Sequence, residues 1–498
     1  MQVTLISPYL EIYSIGLRTF SSILKRRGIP VRMLFLPQNF HCHFIEENLK
    51  EITNLVKDSD LIGISLMSNQ LGRVIQLTKA LKANTKAFII WGGIHPSTCP
   101  EESLQHADGI CIGEGEDAFT ELAIALKDNQ PTESIKGLWF NKNGTIIKNE
   151  IQPLTQNIDS FPYPDYAYKE QYLLDDGHIR LFNDNYFKKH FSTIYLTLTS
   201  RGCPYSCAYC CNDALKKIYH KEPKLYRRRS LNNVIEELLW VKKHIPFIER
   251  ILFEDDLFLA TSDENIAAFC NIYTDKINLP FTVAGITPST INEKRLVQLL
   301  DAGMCYVRMG IQTASASTAK LFNRNFDIKK TYETIMLFNK YKNRIKAPYF
   351  DFILDTPWES IDDKIETLTF LASMPQPYKM NLFSMTFYPG TALYEKAKKE
   401  GYIENAENQI YYKNYTFLKH TCANALFYIL YCNSYLPLSI KKLLLQKKVI
   451  LFLDKYEILG KIIFLAAKGQ YLCIEALKDI MSGKFWRIAR FFEIRKKS

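Results

Sequence analysis

Three cysteines stand in one short run, Cys203-Pro-Tyr-Ser-Cys207-Ala-Tyr-Cys210, directly after Thr199-Ser-Arg-Gly202. No other feature restricts this chain as much. Three thiolates on one tight loop can hold three irons of a cubic [4Fe–4S] cluster, and the fourth iron is then open to a small molecule. The stretch before the run, Thr193-Ile-Tyr-Leu-Thr-Leu-Thr199, predicts a strand. The loop therefore sits at a strand's C-terminal end, where parallel α/β proteins build their sites. A zinc knuckle is the alternative. Structural zinc takes four ligands, usually as two Cys or His pairs. Cys211 adjoins Cys210 and is poorly placed as a fourth, and no second pair follows nearby. Spacing and context favour the cluster.

A chain of 498 residues exceeds one ordinary domain and predicts two or three. Twelve cysteines in that length are not a disulfide framework, and an oxygen-labile cluster needs a reducing compartment. The start, Met1-Gln-Val-Thr-Leu-Ile6, runs into a strand pattern without a basic-then-apolar leader, so a cytoplasmic location is expected. The net charge of +11 is uneven. Residues 413–498 hold 16 Lys and Arg against 5 Asp and Glu, and the first 412 residues carry 47 of each sign. A neutral body argues against a nucleic-acid groove there.

The N-terminal third alternates strands and helices. Val3–Ile6, Val31–Leu36, Asp60–Leu66, Ala87–Trp91 and Gly109–Ile112 read as strands, with helices between them. That pattern predicts an open, doubly wound parallel sheet. Glycines follow the strand ends at Gly92-Gly93 and Gly113-Glu114-Gly115-Glu116. They serve either tight turns or the close approach of a ligand. A hairpin is expected at Gly137–Ile147 about Asn143-Gly144, and Phe161-Pro-Tyr-Pro-Asp165 reads as a linker.

From Thr193 to about Tyr402 six strands alternate with helices: Thr193–Thr199, Arg250–Glu254, Phe281–Gly285, Tyr306–Ile311, Tyr349–Leu354 and Asn381–Phe387. Six such units make a partial, open TIM-like barrel. Consecutive carboxylates close the second strand, Glu254-Asp255-Asp256. They suit a cationic ligand, or a helix cap or solvated turn.

These motifs resemble the radical S-adenosylmethionine superfamily. The resemblance implies that Cys203, Cys207 and Cys210 hold the cluster and that S-adenosylmethionine chelates the open iron. Tyr209 fits the aromatic residue that often precedes the third cysteine. It further implies S-adenosylmethionine contacts at Tyr209, Glu254, Asp255, Gly310, Gln312 and Arg324. Gly310-Ile-Gln312-Thr stands where relatives commonly have Gly-Ile-Glu-Ser. Asp351-Phe-Ile-Leu-Asp-Thr-Pro-Trp-Glu359 resembles another family string, with Asp355 and Trp358 replacing glycines and so reshaping the substrate side of the cavity. Tyr388-Pro-Gly-Thr-Ala-Leu-Tyr394 matches the final strand and helix, whereas Thr287-Pro-Ser replaces a segment that often carries Arg.

Residues 1–126 resemble the cobalamin-binding domain that precedes many such cores, through Gly92-Gly-Ile-His-Pro-Ser, Pro100-Glu-Glu and Gly113-Glu-Gly-Glu. Ser65, Gly92, Gly93, Gly113 and Glu114 fall on the implied cobalamin edge. The cobalt-ligating His of methionine-synthase-type domains is replaced by Tyr13, and His41, His43 and His95 are weak substitutes.

The expected architecture is α/β. Residues 1–150 form a Rossmann-like cobalamin-type domain, 151–192 a linker, 193–412 a (β/α)6 core and 413–498 a basic helical appendage. In the appendage, residues 421–440 lack charge but contain Asn, Ser and Pro, against a membrane-spanning helix. Lys441 to Leu453 reads as an amphipathic helix with a basic face, either a helical cap on the barrel or a contact with an anionic membrane surface. The implied activity is radical methylation of an unactivated carbon in a small-molecule or lipid-like substrate. It would be driven by a one-electron reductant such as flavodoxin or ferredoxin. Non-methylating radical chemistry and a scaffold without turnover are the rivals. No residue is singled out as catalytic.

Overall fold

The computed structural model describes residues 1–37, 43–222 and 224–481. They divide into two compact units. One comprises Met1–Asp256, Ile272–Leu279 and Thr386–Asn414; the other comprises Leu257–Asn271, Pro280–Met385 and the chain from Tyr415.

The first unit opens with β1 (Val3–Ser7), α1 (Ile15–Arg26), β2 (Val31–Phe35), α2 (Glu46–Val56), β3 (Leu61–Ser65), α3 (Leu71–Asn84) and β4 (Phe88–Gly92). The short helices α4 (Ile94–Thr98) and α5 (Pro100–Leu104), β5 (Gly109–Cys111) and α6 (Glu116–Lys127) follow. The hairpin β6 (Leu138–Lys142) and β7 (Thr145–Lys148) comes next, then β8 (Gln171–Asp175) and β9 (His178–Leu181). Among the described residues the sheet runs β7-β6-β5-β4-β3-β1-β2-β8-β9. The five central strands are parallel and nearly all apolar, as expected where helices cover both faces. The chain lays β2 on one side of β1 and then returns to lay β3 on the other. That reversal opens a crevice at the strands' carboxyl ends.

The stretch expected as linker is partly sheet. β8 continues β2 in parallel, and β9 folds back on β8 through Asp176-Gly177, both at positive φ. This turn signal lies beyond the prolines that suggested a linker.

The first unit continues with α7 (Asp184–Phe191), β10 (Ile194–Thr197), β11 (Ser200–Arg201), α8 (Cys211–Ile218), β12 (Arg227–Arg228), α9 (Leu231–His244) and β13 (Arg250–Phe253). β10 and β13 pair in parallel. After α10 (Asp263–Lys276), the second unit carries β14 (Phe281–Ile286), α11 (Glu293–Asp301), β15 (Met304–Gln312), α12 (Ala316–Leu321), α13 (Ile328–Lys340), β16 (Tyr349–Leu354), α14 (Ile361–Ser373) and β17 (Lys379–Ser384). β14 to β17 pair in parallel, in sequence order. The six expected strands thus all form. α15 (Ala392–Lys399) belongs to the first unit.

The C-terminal region of the second unit holds α16 (Cys422–Cys432), α17 (Leu438–Leu444), α18 (Lys447–Lys455) and α19 (Glu457–Met481). α16 is core: Phe427 packs edge-on to Phe352 at 5.8 Å, and the Tyr431 hydroxyl donates to the Tyr378 carbonyl at 3.0 Å. The single amphipathic helix expected from Lys441 is split into α17 and α18, because Gln446 turns extended with φ −66° and ψ 126°. No described helix is long and apolar enough to cross a membrane.

Candidate active site

At the sheet crevice lies a cavity of about 340 Å³ walled by the ends of β1, β3, β4 and β5 and by α1. Ser65, Gly92, Gly93, Gly113 and Glu114, all expected there, line it. Its floor exists because side chains are missing. A Cβ on Gly63 would stand 2.9 Å from the Phe119 ring, and one on Gly115 would stand 2.8 Å from Cys111 Sγ. Gly93 and Gly113 have φ of +98° and +79°, which L-residues rarely adopt. The short helix α4 fixes both. Ser97 Oγ donates to the Gly93 carbonyl at 2.7 Å and accepts the Gly113 N–H at 2.8 Å.

No histidine lines this cavity among the described residues. The Tyr13 hydroxyl donates to the Phe191 carbonyl at 3.2 Å, and its ring packs against Phe191. His43 lies beside Tyr412. His95 is fully buried and engages other partners. His41 lies outside the described residues.

The triad loop follows β11, which pairs with β12. Gly202 makes that entry possible: its φ is +78°, and a Cβ would meet the Leu225 carbonyl oxygen at 2.7 Å. Within the loop the Cys210 N–H donates to the Cys207 carbonyl at 3.0 Å. Lys216 reaches back from α8 and donates to the carbonyls of Pro204 and Tyr205 and to Ser206 Oγ at 2.7–3.0 Å. The Leu393 N–H at the start of α15 donates to the Ala208 carbonyl at 2.9 Å, which ties the Tyr388–Tyr394 segment to the triad loop. Cys210 caps α8, and hydrogen bonds from the Cys211 thiol and the Asn212 backbone N–H hold its thiol below the usual value. Burial pushes Cys203 up to about 11. Half-buried Tyr209 sits between Ala208 and Cys210.

Asp255 and Glu254 follow β13. The Asp255 carboxylate is 2% exposed and accepts the Thr199 N–H at 3.0 Å, the Thr199 hydroxyl at 2.9 Å and the Ser200 hydroxyl. It thus fastens the strand end that delivers the triad. Glu254 is half-buried and its backbone N–H donates to the Thr197 carbonyl at 3.1 Å.

Two residues that sequence reasoning did not select join loop and cavity. Arg201, two positions before the triad, lines the cavity and pairs with Glu116 at 2.6 Å and Glu114 at 3.4 Å. Arg227 donates to Glu114 at 3.0 Å. The basic residue in Thr-Ser-Arg-Gly was the available signal.

In the second unit, Gly310 and Gln312 flank a register shift between β15 and β16. Gln312 has φ +70°, and its buried Oε1 has no hydrogen-bond partner among the described residues. A bulge and an orphaned acceptor at a strand end mark a position built for something other than packing. The Arg324 guanidinium donates to the Gly310 carbonyl. Asp355 has φ +64°, a left-handed backbone that favours glycine. Its carboxylate accepts from the Lys419 N–H at 3.0 Å and from Asn424 Nδ2 at 2.7 Å, so it ties down the segment before α16.

Family models match this chain twice: the B12 binding domain over residues 1–123 and the Radical SAM superfamily over residues 197–371. The chain belongs to the radical SAM superfamily, with an N-terminal B12-binding domain. An uncharacterised methyltransferase of Pyrococcus horikoshii is 26% identical over 70% of this chain and 72% of its own length. The hopanoid C-3 methylase of Methylococcus capsulatus is 22% identical over 77% of this chain and 68% of its own. The radical S-adenosylmethionine methyltransferase TsrM from Kitasatospora setae superimposes with a TM-score of 0.62 at 17% identity, covering 80% of this chain and 76% of that one, which shows a shared fold.

The residues of this radical SAM chain fit its family's cofactors. Thiolates on one tetrahedral zinc ion would lie about 3.8 Å apart, given Zn–S bonds of about 2.3 Å. Among the described residues, the group of three donors drawn within 4.8 Å of one another is elsewhere, at His95, Cys99 and Glu102. Three thiols on one loop suit three corners of a cube. The glycine-floored cavity likewise suits a flat group pressed against backbone.

Proposed function

We propose that this radical SAM chain methylates an unactivated carbon of a small, largely apolar substrate. The observation that carries the reading is Arg201, which sits both on the triad loop's entry strand and in the wall of the glycine-floored cavity. The triad loop and the cavity lie in one compact unit, tied by the Arg201–Glu116 and Arg227–Glu114 ion pairs, so both cofactors would sit there.

When bound, the reduced cluster supplies the electron that cleaves S-adenosylmethionine to a 5′-deoxyadenosyl radical, and cobalamin supplies the methyl group. The protein's part is positional. Cys203, Cys207 and Cys210 would hold three irons; Lys216 ties down the loop's carbonyls by hydrogen bonds and Asp255 fixes its entry. Gly92, Gly93 and Gly113 would let a corrin approach backbone, and the cavity they line would shield it from water.

Relatives named for hopanoid and for bacteriochlorophyllide d support an apolar, ring-bearing substrate. The lysine-rich α17–α19 exposes Leu443, Leu451, Phe452, Ile458 and Ile462. This face would rest on an anionic bilayer that supplies such a substrate. A one-electron reductant such as flavodoxin or ferredoxin completes the system.

The test is an anaerobic incubation of iron- and cobalamin-loaded chain with reductant, S-adenosylmethionine and extracted lipid. 5′-Deoxyadenosine and S-adenosylhomocysteine formed together support methylation. The first alone points to other radical chemistry, and neither points to a scaffold.

A further inference from the structure

One cluster of donors belongs to neither the cavity nor the triad loop. His95, Cys99 and Glu102 offer an imidazole nitrogen, a thiol sulfur and a carboxylate oxygen within 4.8 Å of one another. They come from α4 and α5 and the turn between them, at positions i, i+4 and i+7, a spacing that puts side chains on one side of a helical path. His95 is 0% exposed. Its Nδ1 lies 3.1 Å from Ser68 Oγ. Its Nε2 is also buried, has no hydrogen-bond partner among the described residues, and lies 3.7 Å from a Glu102 oxygen. A buried nitrogen aimed at a carboxylate and a thiol, yet bonded to neither, calls for an explanation.

We propose that His95 Nε2, Cys99 Sγ and a Glu102 carboxylate oxygen bind one divalent cation of the zinc type. Nitrogen, sulfur and oxygen donors with a fourth position open to water form a set that zinc accepts. The partners behind the donors are in place. Ser68 fixes the imidazole orientation, and the Tyr411 hydroxyl donates to Glu102 Oε2 at 2.9 Å and Oε1 at 3.1 Å. Such outer partners hold metal ligands in orientation. Burial lowers the His95 pKa to about 4, so the imidazole is neutral, as a ligand must be. Burial and the nearby Glu102 charge push the Cys99 thiol up to about 12. Cation binding forms the sulfur–metal bond and releases the thiol proton to solvent. Glu102 is partly exposed, which gives an ion a way in.

The location gives the site a consequence. α4 carries Ser97, which holds both Gly93 and Gly113 at the cavity. A cation joining His95 on α4 to Cys99 and to Glu102 on α5 would brace the helix that sets those two glycines.

The probe is Co2+, added anaerobically to the full chain carrying C203S, C207S and C210S, so that the triad offers no thiolate. One Co2+ per chain is expected, with visible bands of a tetrahedral ion and a near-ultraviolet thiolate-to-cobalt band, both abolished by Zn2+. In the same background C99S should lose the near-ultraviolet band, and H95Q should weaken Co2+ binding at least tenfold. Far-ultraviolet circular dichroism checks folding. If C99S unfolds, C99D decides: it retains an anionic donor, so the visible bands should stay while the near-ultraviolet band goes. A folded chain without the near-ultraviolet band, or a band that survives removal of Cys99, overturns the site.

Discussion

Replacing Asp255 separates a fastening role from a cofactor contact. Its carboxylate is 2% exposed and accepts the Thr199 N–H at 3.0 Å, the Thr199 hydroxyl at 2.9 Å and the Ser200 hydroxyl. Burial raises its pKa, while those hydrogen bonds oppose the rise. In Asp255→Ala the two hydroxyls can rotate to other acceptors, but the Thr199 amide cannot. A buried donor left unmade costs about 1–3 kcal/mol. Adding the lost hydroxyl bonds and subtracting the relieved burial of a charge leaves roughly 2–4 kcal/mol. In a unit of this size that lowers the melting midpoint by roughly 3–7 °C. Asp255→Asn keeps a carbonyl oxygen for the same donors and sheds the buried charge, so it should cost about 1 kcal/mol or less. The assay is thermal melting of the apo chain under argon, followed by iron per chain after reconstitution. Asp255→Ala should melt early and take up less iron, with Asp255→Asn close to wild type. An Ala variant with an unchanged midpoint and full iron refutes the fastening role. An Asn variant as damaged as Ala would mean that the charge, not the acceptor geometry, matters.

Gly93→Val puts a β-branched side chain at φ +98°, with Cβ 2.8 Å from the Leu66 carbonyl oxygen. Hydroxocobalamin retained through gel filtration should fall at least tenfold, and unchanged retention would place the corrin elsewhere. Burial pushes the Glu359 carboxyl up to about 7 from an ordinary value of 4.5. A raised folded-state pKa contributes stability that is complete below pH 4.5 and lost as pH rises through about 7. Melting midpoints of wild type minus Glu359→Gln should therefore decline between those pH values, and a flat difference refutes the burial effect. Leu451 and Phe452 are 49% and 59% exposed. Changing both to Glu should abolish co-sedimentation with anionic liposomes while sparing the fold, and an intact chain that never sediments ends the membrane reading.

Local signals were readable and long-range ones were not. The alternating strands and the Asn143-Gly144 hairpin each depend on neighbours in sequence, and each formed. β8 and β9 carried an Asp-Gly turn, but the preceding prolines obscured it. Arg201 could not be matched to Glu116, or Asp255 to Thr199, because those partners lie 85 and 56 positions away. Asp355 and Gln312 read as departures from the family strings. Only the backbone shows that both occupy positive φ, and that Asp355 uses its carboxylate to hold Lys419 and Asn424. The neutral body and the basic C-terminal region were readable from charge alone. That α16 fills core was hidden, because an uncharged helix looks the same against protein or lipid.

Everything chemical depends on three thiolates leaving one iron open. Electron paramagnetic resonance of the anaerobically reconstituted, dithionite-reduced chain, with and without S-adenosylmethionine, addresses this directly. The expected result is a reduced [4Fe–4S] signal whose g-values shift when S-adenosylmethionine is added, and which is absent from Cys207→Ala. An iron-loaded chain whose signal ignores S-adenosylmethionine, or survives loss of Cys207, would contradict it.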